Sequence, residues 1–235
     1  PQESPLYLKD ALEIRSMTAK EEDILTSRAL LKQGKAISTL LRSCLVNRLI
    51  DVESMLVGDR NAMLVAIRIT GYGQEYTVKV ECPACEEKVE HTFDLSRLEV
   101  KRLDEEPIAI GQNAFKFTRP ISKREVTFKL LTGADERELS QIAERQRKTM
   151  PEAPEQGVTL RLLAQIVSIG TESDRGKVAG AIRTMHAQDS RKLRSHIDKI
   201  SPGIKMEQEF TCPSCGEASV VDLPMGTEFF WPTAG

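Results

Sequence analysis

Hydrophobic positions recur at helical spacing over much of the chain and at strand spacing in a few short stretches. Thr18 and Glu21, three apart, form a capping-box signature, so a helix is expected from there through about Leu31, with Gly34 as its breaker. Ile37, Leu40, Leu41, Cys44 and Leu45 follow at i, i+3, i+4, i+7 and i+8, the apolar stripe of a second helix. Asp59 is placed to N-cap a third, carrying Met63, Ala66, Ile67 and Thr70 and stopped by Gly71-Tyr72-Gly73. A buried strand is the alternative for residues 63–69, because the run is apolar and partly β-branched. Tyr76, Val78 and Val80 alternate with polar neighbours, as do Val89, His91 and Phe93, which predicts two strands. Residues 107–131 read as further sheet, with Phe115 and Phe117, then Val126, Phe128 and Leu130, in alternation. Helical spacing returns at Leu139, Ile142 and Ala143. It appears again at Leu162, Leu163 and Ile166 (up to Gly170), at Val178, Ala181, Ile182 and Met185, and at Leu193, Ile197 and Ile200 behind a cap at Asp189. Several short helices joined tightly predict a compact bundle.

Two segments repeat one another. Tyr76 to Glu81 leads into Cys82-Pro83-Ala84-Cys85 and returns to Phe93-Asp94-Leu95. Gln208 to Thr211 leads into Cys212-Pro213-Ser214-Cys215-Gly216 and returns to Val221-Asp222-Leu223. Each reads as strand, cysteine turn and return strand. Together the turns supply four thiolates, the ligand number of a closed structural Zn2+ site, with Cys82, Cys85, Cys212 and Cys215 as ligands. Proline after the first cysteine rigidifies the turn where no N–H is needed. A redox role would require the pair to open a helix in an α/β context, and both pairs lie between strands. The 126 residues between Cys85 and Cys212 make any shared metal the closure of a very long loop. The fifth cysteine, Cys44, lies in an apolar stripe and reads as a small buried residue.

The fold expected is α+β: helical bundle segments around a small antiparallel sheet with a four-cysteine, zinc-ribbon-like site. An arm (1–17) precedes N-terminal helices (18–73), then the first cysteine turn and sheet (74–131). A helical region (132–203) follows, then a second cysteine turn completing the sheet (204–224) and an aromatic tail (225–235). In that tail Phe229, Phe230 and Trp231 are adjacent, and two fates stay open: packing back on the domain, or serving as protein-interaction residues that anchor a partner.

Composition narrows the function. Hydrophobic residues make up 40 %, enough for a real core, and 33 basic residues against 35 acidic give a formal net charge of −2. That balance argues against a dedicated nucleic-acid binder, and no apolar run approaches the ~18–20 residues of a membrane span. Pro1-Gln2-Glu3-Ser4 is polar and shows no signal-peptide pattern, so a reducing compartment is expected. His91, lying by the first cysteine turn, His186, closing a helix where its charge suits the dipole, and His196, at the edge of a helical stripe, read as packing or capping residues. Nucleophile-elbow and phosphate-loop motifs are absent. No enzymatic activity and no small-molecule substrate are expected.

The order Gly58-Asp59-Arg60, Ile67-Arg68-Ile69, Gly71-Tyr72-Gly73 and Cys82-Pro83-Ala84-Cys85, with the late Cys212 turn and the ending from Asp222 to Pro232, resembles the T4-type bacteriophage baseplate protein family. The matched stretches are roughly 35–95 and 205–232. The resemblance implies a structural or assembly protein of a contractile tail, associated with the central hub. Its partners would be other baseplate or hub proteins, with the tail tube or tape measure as further candidates. Its place would be the virion tail, and the host cytoplasm during assembly. The alternative is a zinc-ribbon adaptor of a transcription or replication machine. Glu81, Glu86, Glu87 and Glu90 around the first turn, and Glu207, Glu209 and Glu217 around the second, would repel phosphate, so such an adaptor would have to bind protein.

Overall fold

The computed structural model describes residues 1–9, 11–150, 152, 156–225 and 227–230. Its elements run α1 (Ala19–Thr26), α2 (Arg28–Lys32), α3 (Ala36–Cys44), α4 (Val57–Tyr72), β1 (Glu75–Glu81), β2 (Lys88–Asp94), β3 (Val100–Lys101), β4 (Phe115–Thr118) and β5 (Glu125–Phe128). They continue with α5 (Gly133–Thr149), α6 (Gly157–Gln165), β6 (Ile166–Ile169), α7 (Arg175–Arg183), α8 (Ala187–Ile200), β7 (Gly203–Ile204), β8 (Glu207–Thr211) and β9 (Ala218–Asp222). The mixture of helices and small antiparallel sheets is the α+β class expected.

Local chemistry explains most boundaries. Thr18 and Glu21 form the reciprocal capping box, and Gly34 and Gly73 end their helices at positive φ, +64° and +84°. The first helix stops earlier than expected, at Thr26. Ser27 turns extended there and caps the short α2 by accepting from the N–H of Leu30. Residues 63–69 are helical. Their helix starts ahead of Asp59, because the N–H of Val57 is satisfied by the carbonyl of Leu131 at 2.9 Å rather than by a capping side chain. Asp59 lies in the first turn, where burial raises its carboxyl above the usual range. Ile166 to Ile169, expected as the end of a helix, form a strand. This stretch, β-branched at Ile166, Val167 and Ile169, adds to β5 and covers its edge. His186 caps the start of α8 rather than the end of a helix, its Nδ1 accepting from the N–H of Gln188 at 3.2 Å.

Two hydrophobic cores divide the chain. The first takes residues from α1, α3, α4, β1, β2, β8, β9 and the last described residues. The second lies among β4–β5–β6, α6, α7 and α8. β4 and β5, grouped in the sequence with the first cysteine turn, thus pack with the helices that follow them. The second cysteine segment does not complete the first sheet. β1–β2 and β8–β9 are separate antiparallel hairpins, because each cysteine turn ties its own two strands together. The N-terminal arm is not free. The N–H of Gln2 donates to Gly111, the N–H of Arg15 donates to Cys44, and Leu12, Ile14 and Met17 pack on the first core.

The chain crosses between lobes side by side. β3 carries it out and β7 brings it back, paired Val100 with Ile204 and Lys101 with Gly203. Against this neck sits Gly58 of α4, so close that a Cβ there would lie 1.7 Å from the carbonyl oxygen of Pro202. Gly58→Ala should therefore cost about 1–3 kcal/mol through overpacking. Gly180→Ala on α7, where a Cβ meets nothing within 4 Å, should instead stabilise by about 0.5–1 kcal/mol. Denaturant titration of both variants checks the pair.

Behind the arm, the buried Glu21 carboxylate receives Arg15 at 2.6 and 3.2 Å, Ser43 at 2.6 Å and Thr18 at 2.7 Å. The Arg15 bonds, followed by those from the two hydroxyls, hold it well below the usual carboxylate range although burial opposes them. Because the folded pKa is depressed, the stabilisation is present above the unfolded value of ~4.3 and is lost as pH falls below it. Glu21→Gln should cost about 1–3 kcal/mol at pH 7. The gap to the parent chain should shrink as unfolding is measured at successively lower pH from ~4.5 downward.

Candidate metal centre

The two cysteine turns have the same backbone. In the first, the N–H of Cys82 donates to Glu87 and that of Glu86 donates to Cys82, both at 2.9 Å. In the second, the N–H of Cys212 donates to Glu217 and that of Gly216 donates to Cys212, again at 2.9 Å. The residue after the second cysteine is left-handed in both, Glu86 at φ +61° and Gly216 at +76°. This closure turns both thiols of each pair to the same side.

The hairpins then meet face to face. The His91 ring packs edge-on to Phe93 of its own strand at 4.5 Å and to Phe210 of the other hairpin at 5.2 Å. His91 is therefore a packing residue between hairpins. The result is convergence of four sulfurs. Cys82 Sγ lies 3.8 Å from Cys215 Sγ, Cys85 Sγ lies 3.8 Å from Cys212 Sγ, and all four are within 4.8 Å of one another. Cys82 and Cys212 are buried, while Cys85 and Cys215 are exposed. A tetrahedral ion with sulfur ligands at ~2.3 Å sets its sulfurs about 3.8 Å apart, the spacing found here across the hairpins. A disulfide would need ~2.05 Å. All four residues named from the sequence are thus brought together, and they fit a soft, four-coordinate cation.

The electrostatics favour the same occupant. The backbone N–H of Cys215 acts against burial, with help from that of Ser214, to hold the Cys212 thiol down at about 7. At Cys85 the N–H of Glu87 lowers the pKa, but burial and the adjoining thiols push it up to about 12. Cys215, opposed in the same way by the N–H of Glu217, is also raised. The Cys212 thiolate forms easily, while Cys85 and Cys215 resist until a cation offsets the charge. Cys44 stands apart in the first core, its thiol pushed up to about 11 by burial and then by Glu21, as suits an inert apolar residue.

A family model described as T4 bacteriophage base plate protein matches residues 6–231. The chain belongs to the T4 bacteriophage base plate protein family. No curated protein and no solved structure matches it. Membership carries a structural role in a phage base plate, with protein partners in that assembly and a place at the virion tail. No helix among the described residues is long and apolar enough to cross a membrane. Because the base plate family match spans both lobes, it takes in the middle lobe, whose helices carried no motif that the sequence could connect to the family.

In this base plate family member the described aromatics of the tail, Phe229 and Phe230, belong to the first core. Phe229 and Phe230 are 0 % and 2 % exposed. The Phe229 ring meets Tyr76 edge-on at 5.1 Å and Phe230 at 5.2 Å, and the Tyr76 hydroxyl donates to the Pro224 carbonyl at 3.0 Å. Of the two fates left open by the sequence, these two residues take the first, packing back on the domain. Trp231 lies outside the described residues. What holds the tail is Arg68, a residue whose role went unread in the sequence. Fully buried, its guanidinium donates to the carbonyls of Phe229 at 2.7 Å, Gly73 at 2.8 Å and Glu75 at 2.9 Å. The available signal was a lone cation inside the apolar run Ile67-Arg68-Ile69, which demands partners wherever it is buried.

The paired turns give a direct comparison. Gly216→Ala puts a Cβ into the left-handed conformation and should cost about 1–2 kcal/mol. Glu86→Gly relieves the same strain and should be neutral to slightly stabilising. Thermal unfolding of the two variants, metal content held constant, measures the difference.

Proposed function

We propose that the chain is a zinc-stapled structural protein of the base plate, acting at the hub region through protein–protein contacts and without catalysis. The observation that carries this is the convergence of Cys82, Cys85, Cys212 and Cys215 at the edge length of a sulfur tetrahedron. These four would hold Zn2+ as thiolates. A zinc with four sulfur ligands has no position left for water, so it supplies a cross-link rather than a reaction. Cross-linking suits the topology, since the two turns come from chain segments separated by the whole middle lobe. The hub assignment is supported by the resemblance of the ordered motifs, and other hub proteins, the tail tube and the tape measure are the proposed neighbours. The adaptor alternative finds less support, because glutamates surround both turns.

Elemental analysis of protein purified without chelator should give about one zinc per chain. Cys212→Ser should abolish that zinc and cost on the order of 4–5 kcal/mol, the loop-closure value for a cross-link spanning more than 100 residues. Cys44→Ala should keep the zinc and cost about 1 kcal/mol, the effect of a small core deletion. A folded chain without metal, or equal losses in the two variants, would refute the staple.

A further inference from the structure

The two cysteine hairpins differ on the faces they turn to solvent. On the first, Lys79 stands opposite Glu90, the hydroxyls of Thr77 and Thr92 bond at 2.8 Å, Lys88 pairs with Glu81 at 3.5 Å and Arg97 with Asp94 at 3.3 Å, so most of the acids on this face, Glu75 apart, have a cation beside or opposite them. On the second, strand alternation sends Glu207, Glu209 and Asp222 outward around Val220, which is 63 % exposed. None of these three carboxylates has an ion pair among the described residues.

The middle lobe carries the opposite arrangement. The tip of the β4–β5 turn exposes Ile121, followed by exposed Lys123 and Arg124. The Asp189 carboxylate accepts from the N–H groups of Ile121 at 2.8 Å and Ser122 at 3.1 Å. It pins the tip to the first turn of α8, which runs on into exposed Lys192. The acids close by are committed, Asp189 to those amides and Glu125 to Lys116 at 2.9 Å. Lys123, Arg124 and Lys192 have no ion pair among the described residues. The asymmetry extends to whole lobes. Residues 107–203 hold 17 Lys and Arg against 11 Asp and Glu, and the rest of the chain holds 16 against 24.

We propose that the chain associates with a second copy of itself head to tail, the Ile121 basic knob of one copy seating on the Val220 acidic face of the next. Each surface is an apolar residue ringed by one sign of charge, and the two rings are opposite. A contact between two like patches would set carboxylates on carboxylates or cations on cations, so each contact joins a knob to a face; made once per pair of copies it leaves a free knob and a free face to continue a ring or stack. Complementary charge directs the encounter, and exposed pairs contribute only about 0.2–1 kcal/mol each, so the assembly is weak and salt-sensitive. The inference names a partner for the structural protein described above but rests on surface charge alone. A chain that stays monomeric would leave the zinc staple standing, and a metal-free chain would leave this contact standing.

Sedimentation velocity of the full, metal-loaded chain tests it. At low ionic strength the mean mass should rise with concentration, and the species should return to monomer in high salt, where charges are screened within a few ångströms. The double variants Glu207→Lys with Glu209→Lys, and Lys123→Glu with Arg124→Glu, should each be monomeric alone. Mixed in equal amounts they should associate again, a recovery that misfolding could not produce. The proposal fails if the parent chain is monomeric at low salt, if either variant associates like the parent, or if mixing restores nothing. It fails equally if the knob binds a DNA duplex while the chain remains monomeric.

Discussion

Two cysteine turns 126 residues apart in the chain meet at sulfur contact distance, and that meeting dictates the rest of the architecture. Everything between them must leave one hairpin and return to the other within a few ångströms. The chain meets this demand by crossing to the middle lobe and back through one two-stranded neck, wedged by a glycine of α4. Closing so long a loop carries an entropic cost that rises only slowly with length, which is why an entire second core fits inside it. The same long helix, α4, serves both closures. Near its start Arg60 is buried with its guanidinium on the Val52 carbonyl and the Ser38 hydroxyl, against the first residue of α5. Near its end Arg68 gathers three carbonyls, one of them from the tail. Both cations bond backbone or hydroxyl oxygens that burial would otherwise leave unpaired, and Arg60 also lies 3.9 Å from the Glu53 carboxylate.

What the sequence made legible was what is decided locally. The capping box at Thr18, the apolar stripe of α3, the glycine stops at Gly34 and Gly73 and the two cysteine hairpins each depend on a few adjacent residues, and these stand where expected. The cluster of four cysteines was legible because two matching turns leave little choice of a fourth sulfur. What escaped is decided at a distance. The start of α4 follows the hydrogen bond that Val57 donates to the carbonyl of Leu131, in the link between β5 and α5, and Ile166 to Ile169 form a strand because β5 has an edge to cover. Asp189, read as a helix cap, uses its carboxylate on a turn 68 residues earlier. The division into two cores could not be seen in periodicity, which reports that a residue is buried but not against what. The tail showed the same limit, since adjacent aromatics look alike whether they wait for a partner or fill their own core.

The neck and the paired turns also set an order of events during synthesis. At ~5–20 residues per second, some 6–25 s separate the emergence of Cys85 from that of Cys212. Throughout that interval the first hairpin holds two thiols with no partners, and the first core lacks Phe210, Phe229 and Phe230. The middle lobe, whose core draws almost wholly on residues 115–200, has all it needs before then. The interior of the chain therefore matures ahead of its frame, and the frame closes only once the second cysteine turn and the aromatics after it have emerged. A product truncated ahead of Cys212 would retain a finished middle lobe yet present an open, thiol-bearing frame, so the meeting of the four sulfurs signals that synthesis has passed the second cysteine turn.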